Sequence, residues 1–304
     1  MTVKKPSATN SSESDRLDHI KRRVVVGIFS DDSLMERLVL KGGNAIDLVL
    51  NVGTRASVDI DLSMEDDFTN EEREHVRQKL ERRLQEAFNP DKLHVFDVTF
   101  EEKPKPISPE VASFWGGYDI AFKLIENDAY KQSAGDISAL RRASLKIGAK
   151  GKFEIDISRF EYCARKQPFD IDGHQIFVYS TEMLVLEKLR AICQQMPEYG
   201  PVVHRSRAGS PRARDFLDIH TLVSHYRLDL FSPENLELAK LIFHAKRVPL
   251  ELIGKIGEFR EFHRSDFRAV KDTVKPGVVV QDFDFYFDFV LELAARISEA
   301  LRNK

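Results

Sequence analysis

Cysteine is almost missing from this chain: Cys163 and Cys193 are the only two. Two thiols cannot build a disulfide framework or a cysteine-rich zinc site. No apolar run approaches the ~18 residues that a membrane span needs. The first fifteen residues, MTVKKPSATNSSESD, contain no apolar stretch of the kind a secretory signal requires. These absences together predict a cytoplasmic protein. Excess charge of one sign is missing too. Lys and Arg number 46 against 49 Asp and Glu, a net charge of −3, so bulk charge offers no attraction to nucleic acid and leaves only local basic patches. What remains is 42% hydrophobic and 31% charged, ordinary for a globular chain that buries a core. At about 150 residues per domain, this length predicts two domains.

The patterning divides the chain into a flexible tail over 1–19, a mixed α/β half over 20–179 and a helical half over 180–304. Period-two alternation predicts strands over 58–63, 93–101, 117–126 and 153–160. Asp31 or Asp32 is placed to cap a helix over 33–40, and a second short helix over 44–51 follows Gly42-Gly43. Thr69 and Glu72 have capping-box spacing and open a helix to about 87. Another helix is expected over 128–144. Asp172-Gly173 between apolar runs reads as a hairpin turn, and Ser210-Pro211 as a helix start. The aromatic segment 278–290, with Phe283, Phe285, Tyr286, Phe287 and Phe289, fits either strand or helix, its rings most simply core.

The chemistry-bearing stretch is Leu40-Lys41-Gly42-Gly43 followed by Ser57-Val58-Asp59-Ile60-Asp61. Asp59 and Asp61, two apart on a strand, point to one face. Like charges that close resist burial and call for water, a basic side chain or a cation. Paired hard oxygens suit Mg²⁺, which takes one or two carboxylates plus substrate phosphates. Glu154-Ile155-Asp156 repeats the pattern and would offer a third carboxylate beside the first two. Gly42-Gly43 ahead of a helix would let a phosphate approach free N–H groups. Taken singly, the aspartates also describe a solvated strand face and the glycines a helix C-cap. Their combination points to a nucleotide–metal site.

Lys41-Gly42-Gly43-Asn44-Ala45 and Arg55-x-Ser57-x-Asp59-x-Asp61 resemble the AbiEii/AbiGii toxin family of nucleotidyltransferases, within the DNA polymerase β-like superfamily. The resemblance continues in Gly116-Gly117-Tyr118, Phe122-Lys123-Leu124 and Glu154-Ile155-Asp156. It is renewed by Glu187-Lys188-Leu189-Arg190-Ala191 and by Arg212-x-Arg214-Asp215-Phe216-Leu217-Asp218, covering about residues 38–222. It implies an α/β (α+β) fold: a polymerase β-like nucleotidyltransferase domain with a mixed sheet, followed by a helical domain that completes the nucleotide site.

The same resemblance assigns roles. Asp59, Asp61 and Asp156 become the metal ligands, with Mg²⁺ or Mn²⁺ expected and NTP as substrate. Gly42, Gly43, Asn44, Ser57, Lys188 and Arg214 would cradle the triphosphate. Lys188 matches the family's nucleotide-contacting lysine and Asp215 the acidic residue of its last motif, with Asp218 as the fallback across the 198–210 insert. The implied activity is transfer of a nucleoside monophosphate to an acceptor hydroxyl, with a tRNA 3′ end as the expected acceptor, by a toxin paired with an antitoxin in a toxin–antitoxin or phage-defence system. A non-catalytic nucleotide-binding regulator, or transfer to a protein or small-molecule hydroxyl, are the alternatives.

His204, Arg205, Arg207, Arg212 and Arg214 form one basic cluster, and Arg141, Arg142, Lys146, Lys150 and Lys152 another. Each is either a solvated face or a surface that tracks the phosphates of an RNA acceptor. His174, His220 and His225 lack metal-ligand spacing and read as structural.

Overall fold

The computed structural model describes residues 8–55, 59–147, 151–275 and 277–303, the side chains of 8–12 and 14 excepted. Ser57, Val58 and Lys150 therefore lie outside the described residues.

Seven strands form one mixed sheet: β1 (Val39–Lys41), β2 (Ile60–Ser63), β3 (Leu93–Lys103), β4 (Gly117–Glu126), β5 (Phe153–Ser158), β6 (Gln167–Ile171) and β7 (His174–Val178), in the order β3-β4-β5-β2-β1-β7-β6. The pairs β2–β5 and β1–β7 are parallel and the others antiparallel. One register sets up the site. Asp61 is the Cα partner of Asp156, Asp156 of Asp119, Asp119 of Glu101, and Lys41 of Asp61. Directly opposed residues share a face, so a row of four carboxylates ending in a lysine crosses five strands.

The helix Asn70–Phe88 starts on the expected capping box, with Thr69 and Glu72 each bonded to the other's backbone. It buries Val76, Leu80, Leu84 and Phe88, the four-residue repeat of one helical face. The Asp172-Gly173 turn joins β6 to β7 with both residues at positive φ, 52° and 80°, as a tight hairpin turn requires.

Several expectations are corrected. Residues 8–19, expected in a flexible tail over 1–19, are helical, since a helix spans Ala8–Phe29. The described side chains of its first turns are polar and largely exposed, so composition there imitates a tail, while Ile20, Val24, Val25 and Ile28 are buried farther along. The helix expected over 33–40 ends at Arg37, and Val39–Lys41 is extended instead. Gly42–Asn44 is a single helical turn that runs into a π-helix, Ala45–Val49. The helix expected over 128–144 is two short ones, Asn127–Gln132 and Ile137–Ala143, parted by Gly135 at φ +93°. The strand expected over 153–160 stops at Ser158. The helix after Ser210-Pro211 begins at Ala213.

The helical half carries Thr181–Cys193, capped by Ser180, and Ala213–Tyr226, which packs against it. The aromatic segment resolves as the helix Phe283–Arg302, capped by Asp282. Phe283, Tyr286 and Phe287 are buried, whereas Phe285 is exposed. Phe216 packs between Phe283 and Phe287, at ring separations of 5.5 and 5.1 Å. One apolar cluster runs from Ile20 to Ile297, so sheet and helices share a core. No helix among the described residues is long and apolar enough to cross a membrane.

Candidate active site

A cleft of about 590 Å³ opens over the carboxylate row. Its floor is Lys41, Asp61, Asp156 and Ser158 from three adjacent strands, and its far wall comes from the two packed helices. Ten of its lining residues are Lys or Arg and five are Asp or Glu. A surplus of fixed positive charge in a recess of this kind attracts a polyanion.

Asp61 and Asp156 meet because β2 and β5 run parallel in register. Burial above all, with Asp156 alongside, pushes the Asp61 carboxyl up to about 6 against the pull of Lys41. Lys103 Nζ lies 2.5 Å from the Asp156 carboxylate. Burial works against the charge on Lys103, but Asp156, Asp119 and Asp61 together hold the ammonium above its ordinary value. Asp59 stands exposed just before β2 and is not among the cleft-lining residues. Among the described residues, no three His, Cys, Asp or Glu side chains converge to hold a metal ion by themselves.

Gly42 and Gly43 line the cleft above Asp61. Gly42 has φ +69°, and a Cβ there would run into the Asp61 carboxylate. Only glycine meets both demands, a left-handed backbone and contact at that range. Asn44 is fully buried and lies outside the cleft lining. Its side-chain amide donates to the Asp59 carbonyl, so it fixes the backbone leading into β2.

The far wall is a buried ion network. Lys188 Nζ lies 3.0 Å from Asp215 and 2.8 Å from Asp218. Asp218 also accepts a two-pronged contact from Arg55, at 3.1 and 2.7 Å. Asp215 accepts from Arg212, the residue just ahead of this helix, and pairs with it rather than with Arg214. Burial opposes the charges of Lys188 and Asp215, but each is outweighed by its partners: Lys188 is held above its ordinary value and Asp215 far below. Arg214 is exposed, lines the cleft and makes no hydrogen bond or ion pair among the described residues.

Beneath Lys41 lies a second network that isolated charges in the sequence did not signal. Arg190 bonds Glu161 through both terminal nitrogens, at 2.6 and 3.2 Å, and reaches Glu187 at 3.2 Å. Lys41 lies 3.4 Å from Glu187 and 3.5 Å from Glu161, and Lys246 3.6 Å from Glu161. Burial lowers Lys246 to about 8 although Glu161 pulls the other way. Arg55, Lys103, Glu161 and Lys246 are thus cleft residues that sequence reasoning missed. Only Arg55 lay inside a recognised motif. In the second basic cluster, Arg141 pairs with Asp97 at 2.6 Å and Lys152 with Glu154 at 3.0 Å.

Comparison with known proteins agrees with this geometry. No curated protein matches the chain. Two solved structures from Helicobacter pylori share the fold: JHP933, at TM-score 0.52 and 16% identity over 98% of this chain and 96% of that one, and a putative nucleotidyltransferase, at TM-score 0.50 and 16% identity over 98% of each. The profile of the family described as "Nucleotidyl transferase AbiEii toxin, Type IV TA system" matches residues 23–289, most of the chain. The protein belongs to that family of nucleotidyltransferase toxins, which implies an NTP substrate and an antitoxin partner.

Proposed function

We propose that this nucleotidyltransferase toxin moves a nucleoside monophosphate from an NTP to an RNA hydroxyl, a tRNA 3′ end in the first instance, within a phage-defence or other toxin–antitoxin pair. One observation carries the reading: Asp61 and Asp156 lie side by side at the floor of a cleft whose lining holds twice as many basic as acidic side chains.

A hard divalent cation fits this donor set. Two adjacent carboxylates plus substrate phosphates are what Mg²⁺ prefers, and Asp61 and Asp156 meet as like charges that Lys41 and Lys103 offset from the sides. Asp61 and Asp156 would hold it, with Asp59 close by in sequence. When bound it would neutralise phosphate charge and polarise the reacting oxygens. The rest is done by the chain. Gly42 leaves room for the Asp61 carboxylate against the turn. Arg214 reaches the triphosphate from the rim, and Lys188, fixed by Asp215 and Asp218, presents a positioned charge in the wall. Asp156 takes the proton from the attacking hydroxyl. The new bond joins that oxygen to the α-phosphorus, the bond to the β-phosphate bridge breaks, and pyrophosphate leaves. Such catalysis rests on positioning and fixed charge.

The test is incubation with labelled NTPs, Mg²⁺ and total RNA. Label should pass to RNA with the wild type and not with Asp156→Asn. Absence of transfer by the wild type, or equal transfer by the variant, overturns the reading.

A further inference from the structure

The segment between Gln195 and Ser210 interrupts the spacing of Lys188 and Asp215, and of its residues only Val203, Arg205 and Arg207 reach the cleft. It is a built structure rather than a loose insertion. The Arg205 N–H donates to the Gly200 carbonyl at 2.8 Å, and the Arg205 guanidinium donates to the carbonyls of Gln195 and Met196. The Ser210 N–H is held by the Gln195 side chain at 2.9 Å. Gly209 packs so closely on the Gln195 backbone that a Cβ there would overlap it. A compact loop with its ends tied together is a frequent bearer of function.

This loop and the edge of the helical half enclose another cavity of about 350 Å³, beside the cleft. Its apolar wall is Phe259 and Phe262, both half-buried, their rings 6.5 Å apart and nearly perpendicular. Its polar wall is Arg205 and Arg207, and none of its lining residues is acidic. Those two arginines also line the nucleotide cleft, so the cavities meet at them. Arg207 is exposed and makes no hydrogen bond or ion pair among the described residues.

We infer that this cavity is the acceptor-strand subsite: it takes an unpaired nucleobase of the RNA acceptor against Phe259 and Phe262, while Arg205 and Arg207 hold the phosphate that links that base to the reacting end. Aromatic faces beside arginines are how proteins grip single-stranded RNA, the base by stacking and the backbone by charge. The shared arginines place base and phosphate on the path into the cleft. An acidic peptide would use the arginines but leave the aromatic wall without a purpose. The inference rests on the RNA reading above and adds where the acceptor lies.

The experiment measures KM for NTP and for an RNA acceptor separately, in the full chain, with wild type, Phe259→Ala and Arg207→Glu. A labelled single-stranded RNA is titrated against each by fluorescence anisotropy. Arg207→Glu replaces an exposed, unpaired side chain and so keeps the fold. Both variants should raise the KM for RNA and weaken RNA binding about tenfold or more, with the KM for NTP within twofold of wild type. A rise in the KM for NTP instead would make this the pocket for the incoming base and overturn the inference. An effect of Arg207→Glu alone, or of neither, with wild-type transfer to RNA intact, would overturn it while leaving the function standing. Wild-type label that lands on protein or nowhere would remove both.

Discussion

Gly42 and Asp61 touch: a Cβ built on Gly42 falls 2.9 Å from Asp61 Cβ and Cγ and closer still to its carboxylate oxygen. The contact ties the glycine turn to the carboxylate pair and makes the turn testable. Gly42→Ala should destabilise the fold by about 1–3 kcal/mol through its positive φ and displace Asp61. A displacement on the order of 1 Å is worth roughly 100-fold in rate. Gly173→Ala is the control, since φ there is +80° and nothing lies within 4 Å of the added carbon. It should lose similar stability in thermal melts and no transfer activity. Full activity in Gly42→Ala would separate Asp61 from the chemistry.

Asp61 and Glu161 are both carboxylates of the cleft, yet they should answer neutralisation in opposite ways. Asp61 sits beside Asp156, so Asp61→Asn relieves a repulsion. Its melting temperature should hold or rise while label transfer falls at least about 100-fold. Glu161 is surrounded by Arg190, Lys41 and Lys246. Glu161→Gln leaves three buried cations short of a partner, a loss of about 3–5 kcal/mol. Denaturant titration of the two variants checks the contrast, and comparable stability losses would contradict it.

That difference also marks what the sequence could tell. Asp61 and Asp156 were legible because a period-two strand prints its face directly, and Lys188 with Asp215 because both fall in recognised motifs. The structure adds that Asp218 shares the lysine instead of replacing Asp215. Glu161, Arg190 and Lys246 carried no joint signal, because charges so far apart along the chain meet only through tertiary packing. The helix from Ala8 was hidden by its polar first turns, and β1 by being three residues long, too short for any period. The aromatic run at 283–289 satisfied both periods until its partners, Phe216 and His220, were in place.

Arg214 and Arg55 both line the cleft, but only one is bound to its neighbours. Arg214→Ala removes an exposed, unpaired charge, so stability should change by no more than about 0.5 kcal/mol. The KM for NTP should rise about tenfold, by the value of one lost charge-assisted phosphate contact. Arg55→Ala strips Asp218 of its two-pronged partner and should lower the melting temperature markedly as well. A destabilised Arg214→Ala of unchanged KM would move that residue from the substrate side to the framework.

His263 gives the pH dependence. It is fully buried, and its Nδ1 accepts the backbone N–H of Arg212 at 3.1 Å, the same residue whose side chain grips Asp215. Its proton therefore sits on Nε2, which has no partner among the described residues. Burial lowers the imidazole to about 4, although Asp215 pulls upward. A second proton on Nδ1 would set a donor against a donor. Below pH 6.5 the unfolded chain takes up a proton that the folded chain refuses until about pH 4. The unfolded state binds more protons in that window, so stability is whole above pH 6.5 and drains as pH falls. At about 1.4 kcal/mol per unit, the loss reaches roughly 2 kcal/mol by pH 5. His263→Gln keeps an acceptor but cannot titrate. Melts at pH 7 and pH 5 should show the wild type losing more stability than this variant by about that amount. Equal losses would mean that His263 protonates in the folded protein as it does in the unfolded chain, and that its bond to the Arg212 backbone does not hold it neutral.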